Sequence, residues 1–192
     1  MNAIAEPAEV MNDYASPNNA FDILLEYERL SLEHSAGVAE QVEAPGLWRG
    51  IGFRIGPIRF IGGIGDVNEI LFMPTLAPVP GTKPWLLGVA NVRGNLVPVV
   101  DLRGFLEGGR TPIGDRSRVL VARQPGGNVG LLVDEVLGQR NLTDENQAIE
   151  HDAEDPRYEP FIAAHYELDG AVWGVFNLAG LVRTAEFLQA SA

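Results

Sequence analysis

The strongest constraint on this chain is a series of short apolar segments between residues 48 and 176, each followed by residues that favour turns. Turn signals such as Gly56-Pro57 and Arg93-Gly94-Asn95 separate many of them. Apolar runs of this length between turns are typical of β-strands rather than helices. The pattern predicts ten strands: Trp48–Ile55, Arg59–Ile64, Val67–Met73, Leu87–Val92, Leu96–Val100, Arg118–Ala122, Val129–Val133, Val136–Gln139, Phe161–Glu167 and Ala171–Phe176. Ten short strands with tight turns indicate an all-β fold, either closed or sandwiched.

Helical signals are confined to three places. At Ser16-Pro17 a serine cap precedes a proline suited to the first helical position, and apolar residues then recur at helical spacing. Two short helices are predicted at Leu102–Glu107 and Leu178–Leu188. The chain therefore divides into a disordered tail (residues 1–16), an N-terminal helix with a linker (residues 17–47) and an all-β domain (residues 48–188). The N-terminal helix is expected either to pack against that domain or to act as a partner-binding arm. No internal repeat is evident, although two halves of barrel size could conceal one.

The charge distribution argues against nucleic acid as a partner. The net charge is −12. Residues 1–47 hold nine acids and one base, residues 48–140 seven acids and eleven bases, and residues 141–192 ten acids and two bases. Phosphate binding needs clustered lysine and arginine, which this pattern lacks. With no apolar run of membrane-spanning length and no signal-peptide pattern, we expect a cytoplasmic protein without membrane insertion.

No arrangement of side chains indicates an enzyme, a metal site or a bound cofactor. Cysteine is absent, and the three histidines (His34, His151 and His165) have no ligand spacing. The glycine-rich segment Gly50–Gly65 has no lysine and serine or threonine to hold a nucleotide, so its glycines are expected at bends of a small barrel. Ser117 lacks the surroundings of a nucleophile.

The most informative segment is Pro84–Gly104, with the sequence PWLLGVANVRGNLVPVVDLRG. It predicts a buried strand, a tight turn at Arg93-Gly94-Asn95, a second strand, and Asp101 as the cap of a short helix. An arginine at the tip of such a turn points outward from a rigid support. From the residues alone, Arg93 could serve recognition or could simply pair with Glu69.

This segment closely resembles the signature of CheW-like domains, in which Asn-x-Arg-Gly follows an aliphatic strand and Asp-Leu-Arg follows the next. Three more pieces are similar to that family in the same order: Val67–Ile70, Gly130–Gly138 and Val172–Leu181. The resemblance covers residues 48–188. The N-terminal extension and the segment Leu47–Phe53 resemble the PilI branch, whose members act in the chemosensory system for type IV pili and twitching motility.

The resemblance implies two small five-stranded barrels side by side and a non-catalytic adaptor. Its partners would be the CheW-like regulatory domain of a CheA-type histidine kinase and the cytoplasmic hairpin tip of a methyl-accepting chemoreceptor, in arrays at the membrane. Residues carried over for receptor binding are Val67, Glu69, Asn91 and Arg93. Residues assigned to kinase binding are Gly62, Asp66, Leu96 and Val97.

Two alternatives remain at this stage. The body alone would also fit a flagellar coupling protein. An unrelated barrel that binds a small ligand would instead show a pocket with converging polar groups. The acidic segment Glu150–Pro156 and the pair Gly62-Gly63 depart from a minimal coupling protein, and either could change the choice of partner.

Overall fold

The computed structural model describes residues 20–33, 47–147 and 155–190. The first range is a single helix, α1 (Ala20–Glu33), which carries exposed apolar side chains such as Leu24 and Tyr27. The predicted tail (residues 1–16) and the predicted helix start at Ser16-Pro17 lie outside the described residues. No helix in the described ranges has the length and apolar character needed to span a bilayer.

The body contains all ten predicted strands, with ends that differ by a few residues at most. They are β1 (Trp48–Ile55), β2 (Ile58–Gly63), β3 (Val67–Phe72), β4 (Leu86–Val92), β5 (Asn95–Asp101), β6 (Arg118–Gln124), β7 (Gly127–Val133), β8 (Glu135–Leu142), β9 (Ile162–Leu168) and β10 (Ala171–Phe176). The predicted helix α2 (Leu102–Glu107) is confirmed with the same ends.

The C-terminal helical segment is interrupted, whereas the sequence pattern predicts one helix from Leu178 to Leu188. It consists of α3 (Leu178–Leu181) and α4 (Ala185–Leu188). Thr184 adopts an extended conformation between them, and its hydroxyl accepts a hydrogen bond from the Phe187 amide at 3.4 Å. A capping threonine starts a new helix at its own position, because its side chain replaces a backbone acceptor.

The strands form two five-stranded sheets, in the orders β8-β1-β2-β10-β9 and β3-β6-β7-β5-β4. In each sheet a short bridge beyond the strands joins the two edges. Gln147 pairs with Tyr166 of β9 after β8 ends, and Ala77 pairs with Val89 of β4 after β3 ends. Joining the edges closes each sheet into a barrel and protects its edge hydrogen-bonding groups. We call the first sheet barrel 1 and the second barrel 2.

Three apolar clusters hold the body together. Ile61, Leu142 and Trp173 fill barrel 1, and a second cluster around Val99 and Leu132 fills barrel 2. The largest cluster draws side chains from both barrels and from the C-terminal helices, and it therefore forms the interface between them. Aromatic rings of barrel 1 contribute much of it: Phe53, Phe60 and Phe176.

The structure reveals an internal repeat that the sequence pattern concealed. Both barrels have the same strand pairings: a central antiparallel hairpin (β1–β2 or β6–β7), one parallel partner (β10 or β5), and a second hairpin at the edge. The chain passes through the equivalent strands in a permuted order, because barrel 1 takes its first two strands from the start of the body and the other three from its end.

The repeat is visible in the residues once the strands are matched. Segments 85–106 and 161–182 correspond without gaps, each position to the one 76 residues later. Asp101-Leu102-x-Gly104 matches Asn177-Leu178-x-Gly180, and each polar residue caps the short helix that follows. The amides of Asp101 and Asn177 donate to the equivalent carbonyls of Trp85 and Phe161, in both cases at 2.8 Å. The two barrels are therefore structural copies.

Candidate protein-interaction surface

The hairpin of β4 and β5 ends in a two-residue turn, Arg93-Gly94, which we call the tip. Both residues have positive φ, 51° for Arg93 and 85° for Gly94. This is the handedness of the type I′ turn, which matches the twist of the flanking strands. Glycine adopts it freely, but arginine does so at an energetic cost. A strained arginine at a solvent-exposed position is therefore a candidate for a functional side chain.

Two side chains hold the tip in place. The Asn91 side-chain oxygen accepts a hydrogen bond from the Gly94 amide at 2.9 Å, so Asn91 stabilises the turn rather than pointing freely into solvent. One nitrogen of the Arg93 guanidinium lies 2.8 Å from a carboxylate oxygen of Glu69 on β3. The Arg93 side chain nevertheless remains 79% exposed, so most of its hydrogen-bonding capacity faces solvent.

The structure brings Glu69, Asn91 and Arg93 together, as the resemblance implies for a receptor-binding surface. Val67 lies on the same strand as Glu69, beyond a bulge, and packs partly against the cluster between the barrels. Leu96, which we predicted to bind the kinase, pairs directly with Asn91 across the hairpin and is 77% exposed. Leu96 therefore lies beside the tip.

The remaining residues assigned to the kinase lie apart from the tip or beneath the surface. Val97 is buried. Gly62 is also buried, and a Cβ at this position would lie 2.5 Å from a methyl carbon of Leu178, so no side chain fits there. Neither residue presents a side chain to a partner. Asp66 is partly exposed and lines a cleft beside the turn between β6 and β7.

The Asp-Leu-Arg part of the signature has a structural role. Asp101 is 1% exposed, and its carboxylate accepts hydrogen bonds from the Gly104 amide and from both the amide and the hydroxyl of Thr111. It caps α2 and fixes the loop that follows that helix. Arg103 pairs with Glu107 at 2.9 Å on α2. The signature thus combines an exposed tip with a buried helix cap.

A polar cluster between the barrels was not foreseen from the sequence. The hydroxyl of the buried Tyr158 donates to Glu107, and Arg157 donates to the Glu107 carbonyl at 3.1 Å and pairs with Asp155. Burial raises the pKa of Tyr158, and the hydrogen bond to Glu107 raises it further. Burial alone would raise the pKa of Glu107, but the hydrogen bonds from Tyr158 and Arg103 outweigh it and leave this pKa below its ordinary value. Of these contacts, only the ion pair of Arg103 and Glu107 could be expected from the sequence, because the two residues are four positions apart on a helix.

The comparisons with known proteins agree with this geometry. The family model for the CheW-like domain matches residues 49–186, which include both barrels and the tip. The chain belongs to the CheW-like family. It is 35% identical to Protein PilI of Pseudomonas aeruginosa over 93% of this chain and 98% of that protein. Protein FrzA of Myxococcus xanthus is 37% identical over 47% of this chain and 56% of its own length.

A solved structure shares the fold. The scaffolding protein TtCheW from Thermoanaerobacter tengcongensis matches with a TM-score of 0.63 at 20% sequence identity, over 76% of this chain and 94% of that one. The expected fold, two five-stranded barrels with helices near both ends, is therefore confirmed. The resemblance to the PilI branch is also confirmed, because the match to PilI includes the N-terminal part of the chain.

Proposed function

We propose that this protein is a non-catalytic adaptor that couples methyl-accepting chemoreceptors to a CheA-type histidine kinase. The pathway would be a chemotaxis-like one that controls type IV pili and twitching motility. Similarity to PilI over nearly the whole length of both chains carries the choice of pathway. Similarity to FrzA and to CheW proteins supports the general role. The protein would act in the cytoplasm, at receptor arrays on the membrane.

For the receptor we propose the tip together with Val67, Glu69 and Asn91. The tip offers a forked, permanently charged donor on a rigid support, with the apolar side chain of Leu96 beside it. An amphipathic helix, such as those of a receptor hairpin, presents polar and apolar groups on neighbouring faces. Arginine suits such a contact because its planar group can donate two parallel hydrogen bonds to one carboxylate.

For the kinase we propose a surface that includes Asp66, with Leu96 at the border of the two surfaces. Both side chains are accessible. Gly62 and Val97 are buried, and we propose that they support this surface from below. Adaptor contacts in signalling assemblies are often small and exchangeable, so dissociation constants in the micromolar range are expected.

Light scattering coupled to size-exclusion chromatography tests the proposal. The purified chain is mixed with the regulatory domain of the kinase, or with a receptor hairpin fragment, at tens of micromolar. We expect a complex with each partner, and we expect Arg93→Glu to weaken the receptor complex while leaving the circular dichroism spectrum unchanged. Arg110→Glu changes another exposed arginine by the same charge and serves as the control. Absence of both wild-type complexes would refute the adaptor function.

A further inference from the structure

The repeat allows two equivalent places in the protein to be compared, one filled and one open. The filled place lies where α2 meets the turn between β1 and β2. There the Arg103 guanidinium lies against Gly56, and Glu107 holds it at 2.9 Å. Asp134, at the junction of β7 and β8, accepts a hydrogen bond from the Gly56 amide at 2.7 Å. Every charged group in this place has a partner.

The open place is the copy of this arrangement beside α3. The position equivalent to Arg103 is Ala179, and the position equivalent to Glu107 is Arg183. The turn between β6 and β7 takes the place of the turn between β1 and β2. Asp66 takes the place of Glu135, because Val67 pairs with Ala122 as Val136 pairs with Phe53. Alanine is much shorter than arginine, and a cleft of about 360 Å3 lies at this place, lined by Gly65, Asp66, Ala122, Arg123, Gln124, Pro125, Ala179 and Arg183.

The open place differs from the filled one in the sign of its net charge. Arg123 and Arg183 both line the cleft and are exposed, and neither forms an ion pair with a carboxylate in residues 20–33, 47–147 or 155–190. By contrast, Arg54, Arg103 and Arg157 are each paired with an acid. Two guanidinium groups against the single carboxylate of Asp66 leave a positive charge at the cleft, in a protein whose net charge is −12.

We propose that this cleft binds a carboxylate side chain from an acidic segment of the kinase regulatory domain. The filled place shows that this geometry accommodates a charged planar group, and the open place has the donors for a negative one. The guanidinium group of an arginine can bind a carboxylate through two parallel hydrogen bonds. The inference rests on the proposed function for the identity of the partner, and it specifies the chemistry of the kinase contact near Asp66.

The test is a calorimetric titration of the kinase regulatory domain into the full-length chain at several salt concentrations. The double variant Arg123→Gln/Arg183→Gln is expected to bind at least tenfold more weakly, with a smaller dependence of affinity on salt. The control Lys83→Gln/Arg110→Gln removes the same charge from exposed positions away from the cleft and is expected to bind within twofold of wild type.

A second variant distinguishes the effect of filling the cleft on binding from the effect of overall charge. Ala179→Arg restores the residue found at the filled place, so it adds a positive charge and occupies the cleft. We expect it to weaken binding while the melting temperature stays near that of wild type. Tighter binding by Ala179→Arg, or unchanged binding by the double variant, would overturn the inference alone. No binding by the wild-type chain would overturn the adaptor function and this inference with it.

Discussion

Replacing Arg93 with asparagine distinguishes the effect of this residue on the stability of the fold from its role in receptor binding. Asparagine tolerates the positive φ of 51° found here, and Asn-Gly is a preferred type I′ turn. The substitution should relieve about 1 kcal/mol of backbone strain. It removes the ion pair with Glu69, which is mostly exposed on the arginine side and contributes about 0.5 kcal/mol. The variant should therefore be about 0.5 kcal/mol more stable than wild type.

Thermal unfolding and receptor binding measure the two consequences. For a domain of this size the gain corresponds to a rise of about 1–2 °C in melting temperature. Affinity for a receptor hairpin fragment should fall at least tenfold. Asp169→Asn alters the equivalent turn of barrel 1, where Asp169 has a φ of 53°, and should leave receptor affinity unchanged. A variant destabilised by 1 kcal/mol or more with unchanged receptor affinity would refute the reasoning and assign Arg93 a structural role.

Three further predictions concern the buried helix cap at Asp101 and the polar cluster. Asp101→Ala leaves its buried donors unsatisfied and should lower the free energy of unfolding by about 3 kcal/mol in urea denaturation. Tyr158→Phe removes the hydrogen bond to Glu107 and should cost about 1–2 kcal/mol in the same assay; no loss would mean that the bond contributes nothing. Acid should destabilise the fold: hydrogen bonds from Arg157 lower the pKa of Asp155 to about 2, and that of Glu107 is also lowered. Their contribution is complete above the ordinary values of 3.8 and 4.5 and is lost as the pH falls towards 2. Glu107→Gln should flatten this decline, and an unchanged acid profile would contradict the assignment.

The strands could be predicted because their signals are local. Turns such as Gly56-Pro57 end one strand and begin the next regardless of what the strands pair with. Strand order could not be predicted, since β2 pairs with β10, far away along the chain. The repeat could not be predicted for the same reason: the permuted order places the equivalent hairpins β1–β2 and β6–β7 at different positions within their halves.

The candidate surface shows a similar division between local and long-range information. The exposure of Arg93 follows from its place at a turn tip, and the cap at Asp101 follows from the helix that begins after it. The burial of Val97 depends on how β5 packs inside barrel 2, and the hydrogen bond between Tyr158 and Glu107 joins residues far apart in sequence. A short motif contains no information about such contacts.

The central claim is that one chain joins a receptor to a kinase, so the most direct measurement is the mass of a ternary mixture. The wild-type chain, the kinase regulatory domain and a receptor hairpin fragment are combined and analysed by size-exclusion chromatography with light scattering. For the wild-type chain we predict a single species whose mass includes all three components. For the Arg93→Glu variant we predict that this species is replaced by a complex of the chain and the kinase domain without the receptor fragment. Two separate binary complexes with no ternary species would show that the partners compete for one surface, which would contradict the account.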